Sequence, residues 1–73
     1  MLYALKSPNG SLIDQTVSQS AGDAWHLGYS YLFDLDEEFG KRYWHKWEAY
    51  KRAARRLGWK VVPVKILELR KKG

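Results

Sequence analysis

At 73 residues the chain has room for one domain, and its 45% hydrophobic and 29% charged residues indicate a folded protein rather than a disordered one. It contains no cysteine, which excludes disulfides and cysteine-ligated zinc. No apolar run approaches the roughly 20 residues of a membrane span, and the start MLYALKSPNG lacks the pattern of a signal peptide. We therefore expect a cytoplasmic protein that does not bind membranes.

Charge is distributed unevenly along the chain. Residues 1–40 carry a net charge of −5, whereas residues 41–73 carry +10. Both halves belong to one small domain, so the molecule should have an acidic side and a basic side. Such a surface would orient the approach to a charged partner.

The N-terminal segment predicts a β-hairpin. LYALK alternates like a strand, and SPNG follows it with Pro8 at the second turn position, where the fixed φ of proline fits. SLIDQTV then has the composition of a returning strand. We expect two antiparallel strands joined by a loop of about four residues.

A first helix is predicted from Ser20, which has the spacing of an N-cap with Asp23 as the acid three residues on. Gly28 weakens this helix by about 1 kcal/mol relative to alanine, which favours a break between Gly28 and Leu35. The acidic run DLDEE then suits the start of a second helix, because the helix dipole favours negative charge there.

The second helix is predicted to run without interruption over residues 36–57. Six apolar residues recur at spacings of three and four, forming one stripe: Phe39, Tyr43, Trp47, Tyr50, Ala54 and Leu57. Gly58 stands where a left-handed C-cap belongs.

WKVVPVKILEL predicts a final strand, with an edge or a bulge near Pro63, because proline cannot donate to a β-ladder. The fold class is therefore α+β in the order β-β-α-α-β. We expect a three-stranded, largely antiparallel sheet with the helices packed on one face. The domain covers residues 1–69, and residues 70–73 form a basic tail.

The outer face of the predicted helix carries one sign of charge. Glu48 is its single acid, against eight residues that are or can become cationic: Lys41, Arg42, His45, Lys46, Lys51, Arg52, Arg55 and Arg56. Such a face is most often an ordinary solvated helix surface, since charged outer faces are the norm. Single-sign enrichment supports the alternative, a footprint for phosphates or an acidic protein.

Trp44 lies about 100° from the apolar stripe on a helical wheel, beside Lys51 and Arg55. It is either a boundary residue covering the sheet edge or an exposed anchor. Tryptophan and arginine are typical of binding hot spots. The candidate contact residues are a central cluster of Trp44, Lys51 and Arg55, with steering charges and a histidine beside it: Lys41, Arg52, Arg56 and His45.

No motif indicates catalysis. The serines lack a recognisable nucleophile context, phosphate-binding glycine motifs are absent, and the two histidines lie far apart without cysteine. We expect no enzyme, no cofactor and no metal site.

Both ends of the chain resemble small accessory proteins of tailed bacteriophages. The resemblance rests on YALKSPNGSLIDQTVSQSAGDAW and LGWKVVPVKI, about half of the chain. It implies a phage-encoded early protein that modulates its host, and it brings no catalytic residues. Residues 28–56 are longer and more basic than that type implies.

Two main functions are consistent with these observations. The first is a non-catalytic phage-type protein that docks on a host protein in the host cytoplasm and inhibits defence or nucleic-acid-processing machinery. The alternative is a direct, weakly sequence-specific DNA- or RNA-binding protein that uses the basic helix. The chain would act as a monomer or a small homo-oligomer, and an oligomer would cover the tyrosines of YSYLF.

Overall fold

The computed structural model describes residues 1–65. Its strands are β1 (Leu2–Lys6) and β2 (Lys60–Val64), and its α-helices are α1 (Ala21–Leu35), α2 (Glu37–Arg42) and α3 (Trp47–Arg56). The α+β character of the prediction is confirmed. The predicted basic tail and the C-terminal half of the predicted last strand lie outside the described residues.

The sheet is smaller than predicted. β1 and β2 pair antiparallel, with Leu2 opposite Val64 and Lys6 opposite Lys60. Across residues 1–65 the sheet contains these two strands, so the predicted third strand and the order β-β-α-α-β are wrong.

The segment SLIDQTV approaches β1 without joining it as a strand. This segment and the Ser18 that follows it form two isolated bridges, Tyr3 with Ser18 and Lys6 with Leu12, and a 3₁₀ turn (Asp14–Thr16) separates them. The buried Thr16 hydroxyl accepts a hydrogen bond from the Leu5 N–H at 2.7 Å and donates to the Ile13 carbonyl at 2.7 Å. The Leu5 N–H therefore bonds a threonine side chain where a neighbouring strand would have offered a backbone carbonyl. Threonine side chains can compete with regular secondary structure in this way.

The chain reversal at SPNG is confirmed. The Gly10 N–H donates to the Ser7 carbonyl at 2.9 Å, and Gly10 has a φ of +93°, which glycine adopts without steric cost. The turn therefore forms as the sequence indicates, although the strand expected after it does not.

Helix α1 begins at the predicted cap and continues without a break to Leu35. The Ser20 hydroxyl accepts the Asp23 N–H at 3.1 Å. Gly28 is buried, and a Cβ there would lie 3.1 Å from Leu5 Cδ2 and 3.2 Å from the Tyr50 hydroxyl. Glycine at this position lets α1 approach β1 closely, and it does not interrupt the helix.

The prediction of one helix over residues 36–57 is wrong, because the helix breaks between α2 and α3. The Tyr29 hydroxyl donates to the Gly40 carbonyl, the acceptor that the Trp44 N–H would use in a continuous helix. The Trp44 N–H instead lies 3.4 Å from the Lys41 carbonyl, and His45 then takes a φ of +62°.

Aromatic rings fill the core beneath the helices. The buried cluster comprises Leu5, Trp25, Tyr29, Leu32, Tyr50 and Ala54. Tyr50 is fully enclosed and donates to the Trp25 carbonyl at 2.8 Å, which ties α3 to α1. The predicted apolar stripe is confirmed at Tyr50 and Ala54, whereas Leu57 is 59% exposed because α3 ends there.

Candidate docking surface

Residues 43–46, called here the basic turn, connect α2 to α3 and carry the most exposed tryptophan described. The Trp44 side chain is 56% exposed. Its indole contacts Phe33 edge-to-face and Tyr29 in a tilted arrangement, with ring centroids 6.3 Å from each. More than half of the side chain stays exposed, so Trp44 can contact a partner without a change in the fold.

The surroundings of Trp44 are cationic and aromatic. Phe33 and Lys41 line an open hollow beside the indole, and the His45 ring centroid lies 4.7 Å from that of Trp44. His45 and Lys46 are exposed. An apolar ring flanked by positive charge suits an apolar pocket with an acidic rim.

Two of the predicted contact lysines are paired within their own helices. Lys41 Nζ lies 3.1 Å from a Glu37 oxygen, and Lys51 Nζ lies 3.7 Å from a Glu48 oxygen. Exposed pairs of this kind are worth about 0–1 kcal/mol. Both lysines can therefore exchange these partners for a stronger one.

Lys51 and Arg55 lie on a different part of the surface from the hollow beside Trp44. The Arg55 guanidinium sits 5.2 Å from the centroid of the Trp25 ring, a cation–π geometry that holds the side chain against α1. Lys51 lines a hollow with His26 and Trp47, whose ring centroids lie 4.0 Å apart in an edge-to-face arrangement. The contacts of Trp44 thus differ from those of the other two members of the predicted central cluster.

The remaining arginines also reach solvent. Arg52, Arg55 and Arg56 are exposed on α3. Arg56 and Arg42 flank a shallow hollow between α2 and α3.

The basic surface is left largely unneutralised by the domain itself. Over the part of the chain that the structure describes, no ion pair joins a carboxylate to Arg42, Lys46, Arg52, Arg55 or Arg56. The acids of DLDEE lie instead at the junction of α1 and α2, where Asp36 caps α2 by accepting the Phe39 N–H. These five basic residues therefore have no carboxylate partner within residues 1–65, whereas Lys51 shares its hollow with Asp23.

Phe33 and His26 were missed by the sequence analysis, although each supports a candidate contact residue. Phe33 belongs to YSYLF, whose aromatics lie on more than one helical face, and this spread was the available signal. Tyr31 of the same run is half-buried, with its ring 6.1 Å from that of Trp59. No comparable sequence signal indicated the edge-to-face contact between His26 and Trp47.

Burial raises the pKa of the Tyr29 and Tyr50 hydroxyls above the usual tyrosine value, and for Tyr50 the neighbouring Tyr29 adds to the rise. Both hydroxyls donate to backbone carbonyls. Their positions therefore serve the packing of the helices.

Within residues 1–65 no three residues of the types His, Cys, Asp and Glu converge as a metal site would require. None of the helices described there has the length and apolar character to cross a bilayer. A scan against protein families and searches of curated proteins and of solved structures found no match.

Proposed function

We propose that this chain is a non-catalytic binding protein that docks on another protein through the basic turn and the exposed arginines of α3. The observation that supports this most is the half-exposed indole of Trp44, held on an aromatic base among cations. Ordering a large side chain at an interface costs free energy. An indole already packed on Phe33 and Tyr29 reduces that cost.

The partner's chemistry follows from the surface. Trp44 would enter an apolar pocket, and Arg52, Arg55 and Arg56 would face an acidic rim. Tryptophan and arginine dominate binding hot spots. Charges at the rim mainly speed association and suppress wrong partners.

The resemblance to phage accessory proteins suggests that the partner is a host protein. In that setting the chain would inhibit a defence or nucleic-acid-processing enzyme by covering acidic residues near its active site. Lys41 would then add to the steering charge, and the exposed His45 would contact the partner beside Trp44. In this role the chain itself catalyses no reaction and requires no cofactor.

A second candidate is direct binding of DNA or RNA. It is favoured by the arginines of α3 that lack a carboxylate partner within the described residues. Trp44 could stack on an unpaired base, a contact worth about 1–3 kcal/mol.

The test is affinity capture from bacterial lysate, with and without nuclease, followed by measurement of the dissociation constant for the captured protein. Trp44→Ala should weaken binding at least about thirtyfold, because a hot-spot truncation costs 2 kcal/mol or more. Leu27→Ala is the matched control, since Leu27 is 42% exposed on α1. Equal affinities for the two variants would contradict docking through Trp44.

A salt titration against duplex and single-stranded DNA separates the two candidates. A direct nucleic-acid binder loses affinity linearly on log–log axes as salt rises, with a slope set by the number of phosphates contacted. For a protein-docking chain we expect nuclease-resistant capture and no measurable DNA affinity at physiological salt.

A further inference from the structure

An apolar groove runs along the side of the molecule where α1 and α3 both end. Leu32 forms its buried floor, and Leu35, Phe39, Leu57 and Trp59 form its walls. Its cavity volume is about 130 Å³. Leu35 and Leu57 are 61% and 59% exposed, so two large aliphatic side chains face solvent across one groove.

The ends of this groove differ in charge. Asp36 lines it near the end of α1. Beyond Phe39 and Leu57 it continues into the hollow flanked by Arg42 and Arg56. The apolar surface therefore has an anionic end and a cationic end.

We propose that a second copy of this chain occupies the groove, with the two molecules related by a twofold axis. In that arrangement the leucines of the two grooves pack together. The Asp36 end of each copy faces the Arg42 and Arg56 end of the other. A twofold interface uses the same patch on both molecules and must therefore be self-complementary. A groove that is acidic at one end and basic at the other meets this condition.

The size of the chain also favours this occupant. Below about 70–80 residues one hydrophobic core seldom gives ample stability, and small proteins commonly add disulfides, a metal or oligomerisation. This chain has no cysteine. Association through the groove would bury the exposed leucines and enlarge the apolar core.

The dimer would leave the Trp44 surface open. On α2, Lys41 borders the hollow beside Trp44, whereas Phe39 borders the groove. Residues two apart on an α-helix point about 200° from one another, so the two surfaces lie on different faces of α2. A dimer would then present two copies of the Trp44 hollow, with Arg56 engaged in the dimer contact instead of the docking surface.

Sedimentation equilibrium over a range of protein concentrations tests the proposal. Wild-type protein should show a monomer–dimer equilibrium. Leu57→Gln and Leu35→Gln should each lower the association constant by at least about tenfold, because each removes buried apolar area twice in a symmetric dimer. Leu27→Gln is the matched control and should leave the constant unchanged, since Leu27 is exposed away from the groove.

The charge arrangement has its own test. Asp36→Asn keeps an N-cap residue for α2 but removes the anionic end, so dimerisation should weaken and depend less on salt. Asp34→Asn is the control, because Asp34 is exposed outside the lining of the groove. Circular dichroism of each variant should retain the wild-type helix signal.

Two results would overturn the proposal. One is a wild-type chain that sediments as a monomer up to about 1 mM, where even weak specific association is populated. The other is a dimer whose association constant is the same in wild type, Leu35→Gln and Leu57→Gln, which would place the contact elsewhere.

Discussion

The Tyr29 hydroxyl bonds a backbone carbonyl that would accept a helical N–H if α2 and α3 were one helix. It occupies the Gly40 carbonyl, and the Trp44 N–H turns toward Lys41 instead. Thr16 acts in the same way at the edge of β1 by accepting the Leu5 N–H. At both places a buried side-chain hydroxyl bonds a backbone group where regular structure ends, and such groups are costly to leave unpaired.

Gly40 shows how closely α2 approaches α1. A Cβ at this position would lie 2.3 Å from the Phe33 ring and 2.9 Å from Phe33 Cβ. Gly40→Ala should therefore lower the free energy of unfolding by about 1–3 kcal/mol, the usual cost of overpacking, despite the better helix propensity of alanine. Urea denaturation measures the change.

Gly22→Ala provides the control for this prediction, because open space surrounds the added methyl. It should raise stability by about 0.4–1 kcal/mol. Equal and favourable changes for both variants would show that Gly40 is not sterically required.

Among the elements, the basic turn decides whether Trp44 is available. A continuous helix would have placed Trp44 on a regular face beside Lys51 and Arg55. The turn instead packs its indole over Phe33 and Tyr29. Helix geometry alone therefore misassigns the neighbours of Trp44, although it correctly marks the residue as lying off the apolar stripe.

His45 holds the turn in a conformation that most residues avoid. Its φ is +62°, and glycine adopts this region without the steric cost of a Cβ. His45→Gly should raise the free energy of unfolding by up to about 1 kcal/mol, and the β-branched His45→Val should lower it by a similar or larger amount. Urea denaturation of both variants measures the two changes in the free energy of unfolding. A His45→Val protein more stable than the His45→Gly protein would contradict the positive φ at this position.

The elements with local signals could be predicted from the sequence. Ser20 marks the start of α1, and the Gly10 turn forms as SPNG indicates. The stripe containing Tyr50 identifies the buried face of α3.

The absence of the third strand and the break in the helix could not be predicted, because both involve the hydroxyls of Thr16 and Tyr29, which bond backbone groups eleven residues away. The contact of Phe33 with Trp44 could not be predicted for the same reason, because Phe33 lies on α1, eleven residues before Trp44.

On the scale of the whole molecule, charge placement matters more than net charge. The chain extends 35 × 21 × 18 Å, and its longest dimension is several times the Debye length of about 8 Å at physiological salt. An approaching partner therefore senses the nearest face rather than the formal charge of +5. The basic turn and α3 present mainly positive charge, with Glu48 as the exception, and the acids of residues 34–38 lie at the junction of α1 and α2.

Alkaline pH should destabilise the fold through its buried tyrosines. Because burial raises the pKa of Tyr29 and Tyr50, the folded chain keeps protons that the unfolded chain releases near pH 10. Their contribution is fully present below about pH 10 and is lost as pH rises toward the folded-state values. The free energy of unfolding should therefore fall above about pH 10.

Urea midpoints measured from about pH 8 to about pH 12 check this expectation. Tyr50→Phe should show a shallower fall with pH than wild type, whatever its stability at neutral pH, because one buried ionisable hydroxyl is gone. Tyr3→Phe controls for the loss of a tyrosine outside the buried cluster. Identical pH profiles for all three proteins would show that ionisation of Tyr50 does not cause the loss of stability at alkaline pH.

The pairing of Leu2 with Val64 has a consequence for synthesis on the ribosome. Synthesis proceeds from the N-terminus, so β1 leaves the ribosome early and waits for β2 until almost all of the described chain has been made. Thr16 and the two bridges to Leu12 and Ser18 cover one edge of β1, because the backbone groups of Tyr3 and Leu5 point to that side. The opposite edge, which pairs with β2, has no strand partner until then. These local contacts would protect one edge of the nascent strand from the start, whereas its other edge stays open to pairing with a wrong neighbour until β2 has been made.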